Sequence, residues 1–117
     1  MPEKKDTRVY QLRIYESYSA RKALKKLEMF NTGGEMALFR KLGMAPVFFG
    51  QAIVSNRLPH LSYMVTFPDA ATQKACWDKF MAAPEWDKLK NDPAYADPVI
   101  GPKITNLVLS ATPSSQI

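Results

Sequence analysis

The sequence holds one cysteine, Cys76, and one histidine, His60. A single cysteine excludes an intrachain disulfide and any cysteine-rich zinc or iron–sulfur centre. A single histidine without a His or Cys companion is a poor start for a metal or haem site, so no metal and no cofactor is expected. No run of about 18 apolar residues occurs, which excludes a membrane-spanning helix on length alone. The opening stretch MPEKKDTRVYQ lacks the apolar stretch of an export signal, and the expected setting is cytoplasmic. Also missing are a phosphate-binding Walker loop, a dinucleotide fingerprint, a zincin motif and a nucleophile elbow, which removes the nucleotide-, NAD- and zinc-dependent enzyme classes.

What is present fits one ordered domain over 1–117, with its core over about 8–110. Apolar residues make up 46% and charged residues 23%, the balance of a globular chain. The net charge is +5, with much of the excess in RKALKKLEMF (21–30). Without an RNA-binding signature or arginine–aromatic interleaving, that excess reads as a solvated helix face, and no nucleic-acid partner is expected.

RVYQLRIY (8–15) alternates β-branched, aromatic and polar residues and reads as a strand. Leu24, Leu27, Phe30, Gly34 and Leu38 then recur at steps of three or four. They predict a long amphipathic helix over 19–42 that turns Arg21, Lys22, Lys25 and Lys26 outward and stops at Gly43. The glycines of NTGGE (31–35) imply a kink or a close approach, with a break into two helices as the alternative. PVFFGQAIV (46–54) and HLSYMVTF (60–67) read as an antiparallel hairpin. Asp69 caps a second helix that Pro84 ends, a short turn carries Trp86, NDPAYADPVIGP (91–102) reads as a loop, and KITNLVLS is the last strand.

The order is β-α-β-β-α-β, an α+β, ferredoxin-like arrangement: a four-stranded antiparallel sheet with its helices on one face. Alternation assigns Tyr10, Leu12, Ile14, Phe49, Gln51, Ile53, Leu61, Tyr63, Val65, Phe67, Ile104, Asn106 and Val108 to the helix-covered face. The other face takes Gln11, Arg13, Tyr15, Phe48, His60, Met64, Leu107 and Leu109 among others. Its apolar members predict a homodimer packed sheet to sheet, unless a bulge exchanges the faces of a strand.

Polar atoms on a helix-covered face need partners, water or a ligand. Tyr10, Gln51, Tyr63 and Asn106, with Phe30, Phe49 and Trp77, are therefore the candidate lining of a pocket for a small hydrophobic or aromatic molecule. Tyr63, Tyr10 and His60 are the candidate catalytic groups if the domain is an enzyme. Arg13 could hold an anion or reach an acidic residue. Glu35, beside the glycine pair, is expected at the surface.

The segments VYQLRIYE (9–16), KLEMFNTGGEMALFRKLGMAPVFFG (26–50), LPHLSYMVTFPDAATQKACWDKFMAAPEW (58–86) and the ending SSQI together resemble the NIPSNAP family, of the dimeric α+β barrel group. The resemblance spans nearly the whole chain. It implies a dimeric barrel with a pocket in each subunit, and it sets a cofactor-independent monooxygenase-like or isomerase-like enzyme beside the binding reading. A third reading, a protein- or membrane-surface interaction module, would use the basic helix face.

Overall fold

The computed structural model describes residues 7–95 and 103–117. Its elements run β1 (Val9–Glu16), α1 (Ala20–Phe30), α2 (Glu35–Lys41), β2 (Ala45–Gln51), β3 (His60–Phe67), α3 (Ala70–Ala82), α4 (Pro84–Lys90) and β4 (Lys103–Ser110). The four strands form one antiparallel sheet in the order β2-β3-β1-β4. This is the expected α+β arrangement. Part of the stretch expected as a proline-rich loop, 96–102, lies outside the described residues.

The helix starts follow the expected side-chain chemistry. The Ser19 hydroxyl accepts from the Lys22 amide at 3.2 Å, and the Asp69 carboxylate accepts from the Thr72 amide at 2.6 Å. Each satisfies one of the amides that a first turn leaves without an intrahelical partner. Pro84 follows the end of α3 as expected, but the stretch expected as a short turn is a helix of its own, α4, which Pro84 opens at a position where its missing N–H costs nothing.

The predicted helix over 19–42 is two helices. Gly34 sits at φ +94°, a left-handed conformation that ends one helix and turns the chain into the next. Its neighbour is small for a different reason: a Cβ on Gly33 would lie 2.6 Å from the Met29 carbonyl oxygen. Gly33→Ala is accordingly expected to cost about 1–3 kcal/mol by overpacking against backbone, measurable as a lower urea midpoint with an unchanged slope.

The break resets the helical phase. The side of α1 that is buried carries Ala23, Lys26, Met29 and Phe30, whereas Leu24, placed on the apolar stripe by the sequence, is 59% exposed. Two expectations are thereby corrected, because Lys26 is 3% exposed and Glu35 is 2% exposed. They form an ion pair, Nζ to Oε2, at 3.3 Å.

The faces of β1 are also exchanged relative to expectation. Arg13 pairs with Tyr63 across the ladder and Gln11 with Val65, so Val9, Gln11, Arg13 and Tyr15 share the helix-covered face with Leu61, Tyr63, Val65 and Phe67. Tyr10, Leu12 and Ile14 lie on the opposite face, beside Thr66, Met64 and Ser62. The other strands keep their expected faces. In β2 the register shifts between Pro46 and Phe48, an irregularity that leaves Phe48 opposite Met64 and Phe49 opposite Tyr63. Ile53 falls beyond the end of β2 and is 90% exposed, not under the helices.

The main core lies between sheet and helices. Tyr63, Val65, Phe67 and Phe39 are wholly buried there, with Phe30 and Phe80 nearly so. Trp86 packs on Phe80 with ring centroids 4.7 Å apart, which ties α4 to the core. The opposite face carries an apolar row that crosses the whole sheet, Phe48–Met64–Leu12–Leu107, each residue directly opposite the next. Phe48 and Leu107 are both 44% exposed.

Candidate functional site beneath the helices

The residues singled out from the sequence divide into four places. Tyr63 lies at the centre of the helix-covered face, packed against Phe30, Phe39 and Phe49 with centroids 5.1–5.5 Å away. Its hydroxyl has the Tyr15 hydroxyl 3.5 Å away. Burial, reinforced by Tyr15, pushes the Tyr63 phenol well above its ordinary pKa. Tyr63 therefore stays protonated at neutral pH and can donate a hydrogen bond; it is unsuited to act as a base.

On one side of this aromatic centre a half-open apolar cleft separates α1 and α2 from β2 and β3. Its volume is about 210 Å³, and it is lined by Leu27, Phe30, Asn31, Met36, Phe49, Gly50, Gln51 and Leu61. Three of the predicted lining residues, Phe30, Phe49 and Gln51, thus meet in one cleft. Leu27, Asn31 and Met36 were not picked out as lining, since the break between α1 and α2 is what turns them toward it.

On the other side, Trp77 and Asn106 meet through a residue that the sequence placed on the wrong face. The Gln11 amide nitrogen donates to Asn106 Oδ1 at 2.8 Å, which leaves Gln11 Oε1 to accept from Trp77 Nε1 at 2.5 Å and from Gln73 Nε2 at 3.0 Å. The indole is thereby fixed beside β1. The Arg13 guanidinium lies 4.8 Å from the Trp77 ring centroid and 5.3 Å from that of Tyr15. Lys26 reaches in from α1, its ammonium 4.5 Å from the Tyr15 ring and 4.6 Å from that of Phe30. Burial drives the Glu35 carboxyl above its ordinary pKa, while Lys26 and, more weakly, Arg13 pull it back.

Tyr10 and His60 belong to neither place. Tyr10 is buried on the opposite face of the sheet, next to Thr66 and Leu109 in the ladder, so the exchange of β1 faces removes it from the helix side. His60 opens β3, with its Nδ1 2.6 Å from the Arg57 carbonyl oxygen. Among the described residues no group of three or more His, Cys, Asp or Glu side chains gathers as metal ligands would. Cys76 is buried, and burial raises its thiol pKa, which makes it a poor nucleophile.

The basic face of α1 is thinner than its sequence suggested. Lys26 is inside, Lys25 pairs with Glu28 at 3.0 Å, and the Lys22 ammonium lies 5.1 Å from the Tyr18 ring. No helix among the described residues is long and apolar enough to cross a membrane.

No family model and no curated protein matches the sequence. Solved structures match the fold over nearly its full length. A NIPSNAP-like domain protein from Burkholderia xenovorans superposes with a TM-score of 0.79 at 16% identity, covering 97% of this chain and 92% of its own. A NIPSNAP family protein of unknown function from Agrobacterium tumefaciens gives 0.79 at 14% identity, covering 99% and 98%. A dimeric ferredoxin-like protein from an uncultured marine organism gives 0.67 at 8% identity, covering 92% and 98%. The chain has the fold of these NIPSNAP family proteins, one it shares with the dimeric ferredoxin-like protein.

Proposed function

We propose that this NIPSNAP-like domain is a homodimer that binds a small hydrophobic or aromatic molecule between its sheet and its helices, in the cleft beside Phe30 and Phe49. The carrying observation is the cleft itself: about 210 Å³, walled by Leu27, Phe30, Met36, Phe49 and Leu61, with the amides of Asn31 and Gln51 able to orient a ligand. An apolar cavity of about 150 Å³ suffices for benzene, so this one suits a molecule of one or two rings. Asn31 and Gln51 do not titrate, and no acid or base is among the lining residues, which favours binding over turnover. The cleft is tested with indole, a neutral two-ring probe, by titration calorimetry. Leu27→Trp, which fills the cleft from its wall, is expected to weaken indole binding by roughly tenfold or more, equivalent to about 1.4 kcal/mol. Unchanged affinity would remove the cleft as the site.

The homodimer reading rests on the middle of the opposite sheet face, where Phe48 and Leu107 are 44% exposed, whereas Tyr10 and Thr66 toward its end are already buried in the single chain. The described residues form a slab whose shortest extent is 19 Å, a single sheet under a single layer of helices. That leaves the row Phe48–Met64–Leu12–Leu107 without a layer over it. The exchange of β1 faces strengthens this reading, since it removes Gln11 and Arg13 from the bare face and puts Leu12 and Ile14 there. A protein of the same fold is described as dimeric, and a second copy brings a surface of matching apolar character.

A further inference from the structure

The loop that joins β2 to β3 presents apolar side chains to water. Ile53 and Val54 are 90% and 91% exposed, and Leu58 near its far end is 51% exposed. Single exposed apolar residues are ordinary, but these sit on a loop that is held in shape. The Ser55 hydroxyl accepts from the Arg57 amide at 3.2 Å, the Ala52 amide donates to the His60 carbonyl at 3.0 Å, and the Ser17 amide donates to the Pro59 carbonyl at 3.0 Å. The loop also leans over the sheet. Arg57 Nη1 donates to Thr105 Oγ1 at 3.3 Å and lies 4.0 Å from Glu16 Oε2. Thr105 stands opposite Ile14 in the ladder, and Glu16 is two residues further along β1, so both belong to the face turned away from the helices. Arg57 thus reaches past β3 and β1 to β4, across the end of that face.

The size of the face matters here. Four strands of seven or eight residues, about 4.8 Å apart and about 26 Å long, project a face of roughly 500 Å². Tyr10 and Thr66, toward the end away from the loop, are already buried in the single chain. A stable interface takes about 800 Å² from each partner. Sheet-on-sheet packing falls short of that by itself, and the β2–β3 loop adds apolar surface at the end that is still open.

We propose that the β2–β3 loop is a dimer arm, whose Ile53 and Val54 pack on the second copy of the chain and carry the interface past the end of the sheet. The assignment rests on the homodimer reading and adds a contact to it. Two-fold symmetry uses the arm twice, so four apolar side chains leave water in one association. Because the loop is already shaped, little ordering is lost when it docks.

The test measures the dimer dissociation constant by sedimentation equilibrium for the intact wild type and for the double variant Ile53→Ser with Val54→Ser. Both positions are almost wholly exposed in the single chain, so the substitutions leave its fold intact, which circular dichroism checks. The double variant is expected to raise the dissociation constant roughly tenfold or more. Leu24→Ser, which removes an exposed leucine from α1, is expected to leave it unchanged. A dissociation constant that the double variant does not move, or that Leu24→Ser moves as far, would overturn the assignment. If phosphatidylserine vesicles then bind the wild type but not the double variant, the loop meets a lipid surface and not a second copy. A wild type that stays monomeric at every concentration would instead fail the homodimer reading, and the arm with it, so the two failures are told apart.

Discussion

Phe48→Glu is expected to turn a dimer into a monomer. Phe48 ends the apolar row of the bare sheet face, directly opposite Met64, and is 44% exposed in the single chain. In a sheet-to-sheet dimer its ring is buried, and glutamate would take a carboxylate into the same apolar layer. Burying an unpaired carboxylate costs several kcal/mol even after relaxation. The loss is incurred in both subunits, and about 3 kcal/mol in all is already a hundredfold weakening. Sedimentation at micromolar concentration should therefore show a monomer. Lys22→Glu, which reverses a charge on α1 away from the sheet, should sediment as the wild type does. A Phe48→Glu protein that keeps the mass and stability of the wild type would mean that this face is not the interface.

The second large effect concerns the ion pair that the sequence hid. Lys26 and Glu35 are almost wholly buried and 3.3 Å apart. Lys26→Met keeps the volume of the side chain and leaves Glu35 without its countercharge, which is expected to cost about 3–5 kcal/mol of stability near neutral pH. The double variant Lys26→Met with Glu35→Leu removes both charges and is expected to recover most of the loss.

The dependence on pH has a definite sign. Burial already sets the Glu35 carboxyl above its ordinary range, and Lys26 opposes that shift; removing Lys26 raises it further. A carboxyl whose pKa is higher folded than unfolded binds more protons in the native state. The stability of Lys26→Met should thus fall as pH rises from about 4, where the unfolded chain ionises, up to the raised folded value. Denaturant titrations at acid and neutral pH measure this directly. A deficit of the same size at both would mean that an ionised Glu35 is not its source.

The fold was readable because its signals are local. Asp69 caps α3, Pro84 follows its end, and the strands carry β-branched and aromatic residues at the expected places. The buried pair was not readable, for a reason of phase. Continuing one 3.6-residue period through Asn31–Gly34 joins Leu24 to Leu38 on a single stripe, but the break lets α1 turn Ala23 and Lys26 inward instead. A lysine stem is apolar enough to enter a core once its ammonium finds a carboxylate and aromatic faces.

The faces of β1 were misread for a related reason. Alternation marks the core side only when the other side meets water. Here Leu12 and Ile14 point to the bare sheet face, and Gln11 and Arg13 point beneath the helices, where Trp77, Asn106 and Gln73 meet their polar atoms. The polar residues thus join a hydrogen-bonded and stacked network beneath the helices, while the apolar ones mark the proposed interface. Phe30, Phe49 and Gln51 were legible as a cleft because β2 and β3 kept their expected faces.

The most direct test of the proposed assembly is native mass spectrometry of the wild-type protein at low micromolar concentration. The expected result is a species at twice the 13.2 kDa chain mass, with any molecule retained in the cleft appearing as a discrete addition. A spectrum containing only the single chain would contradict the account, because the apolar row across the bare sheet face would then stand in water.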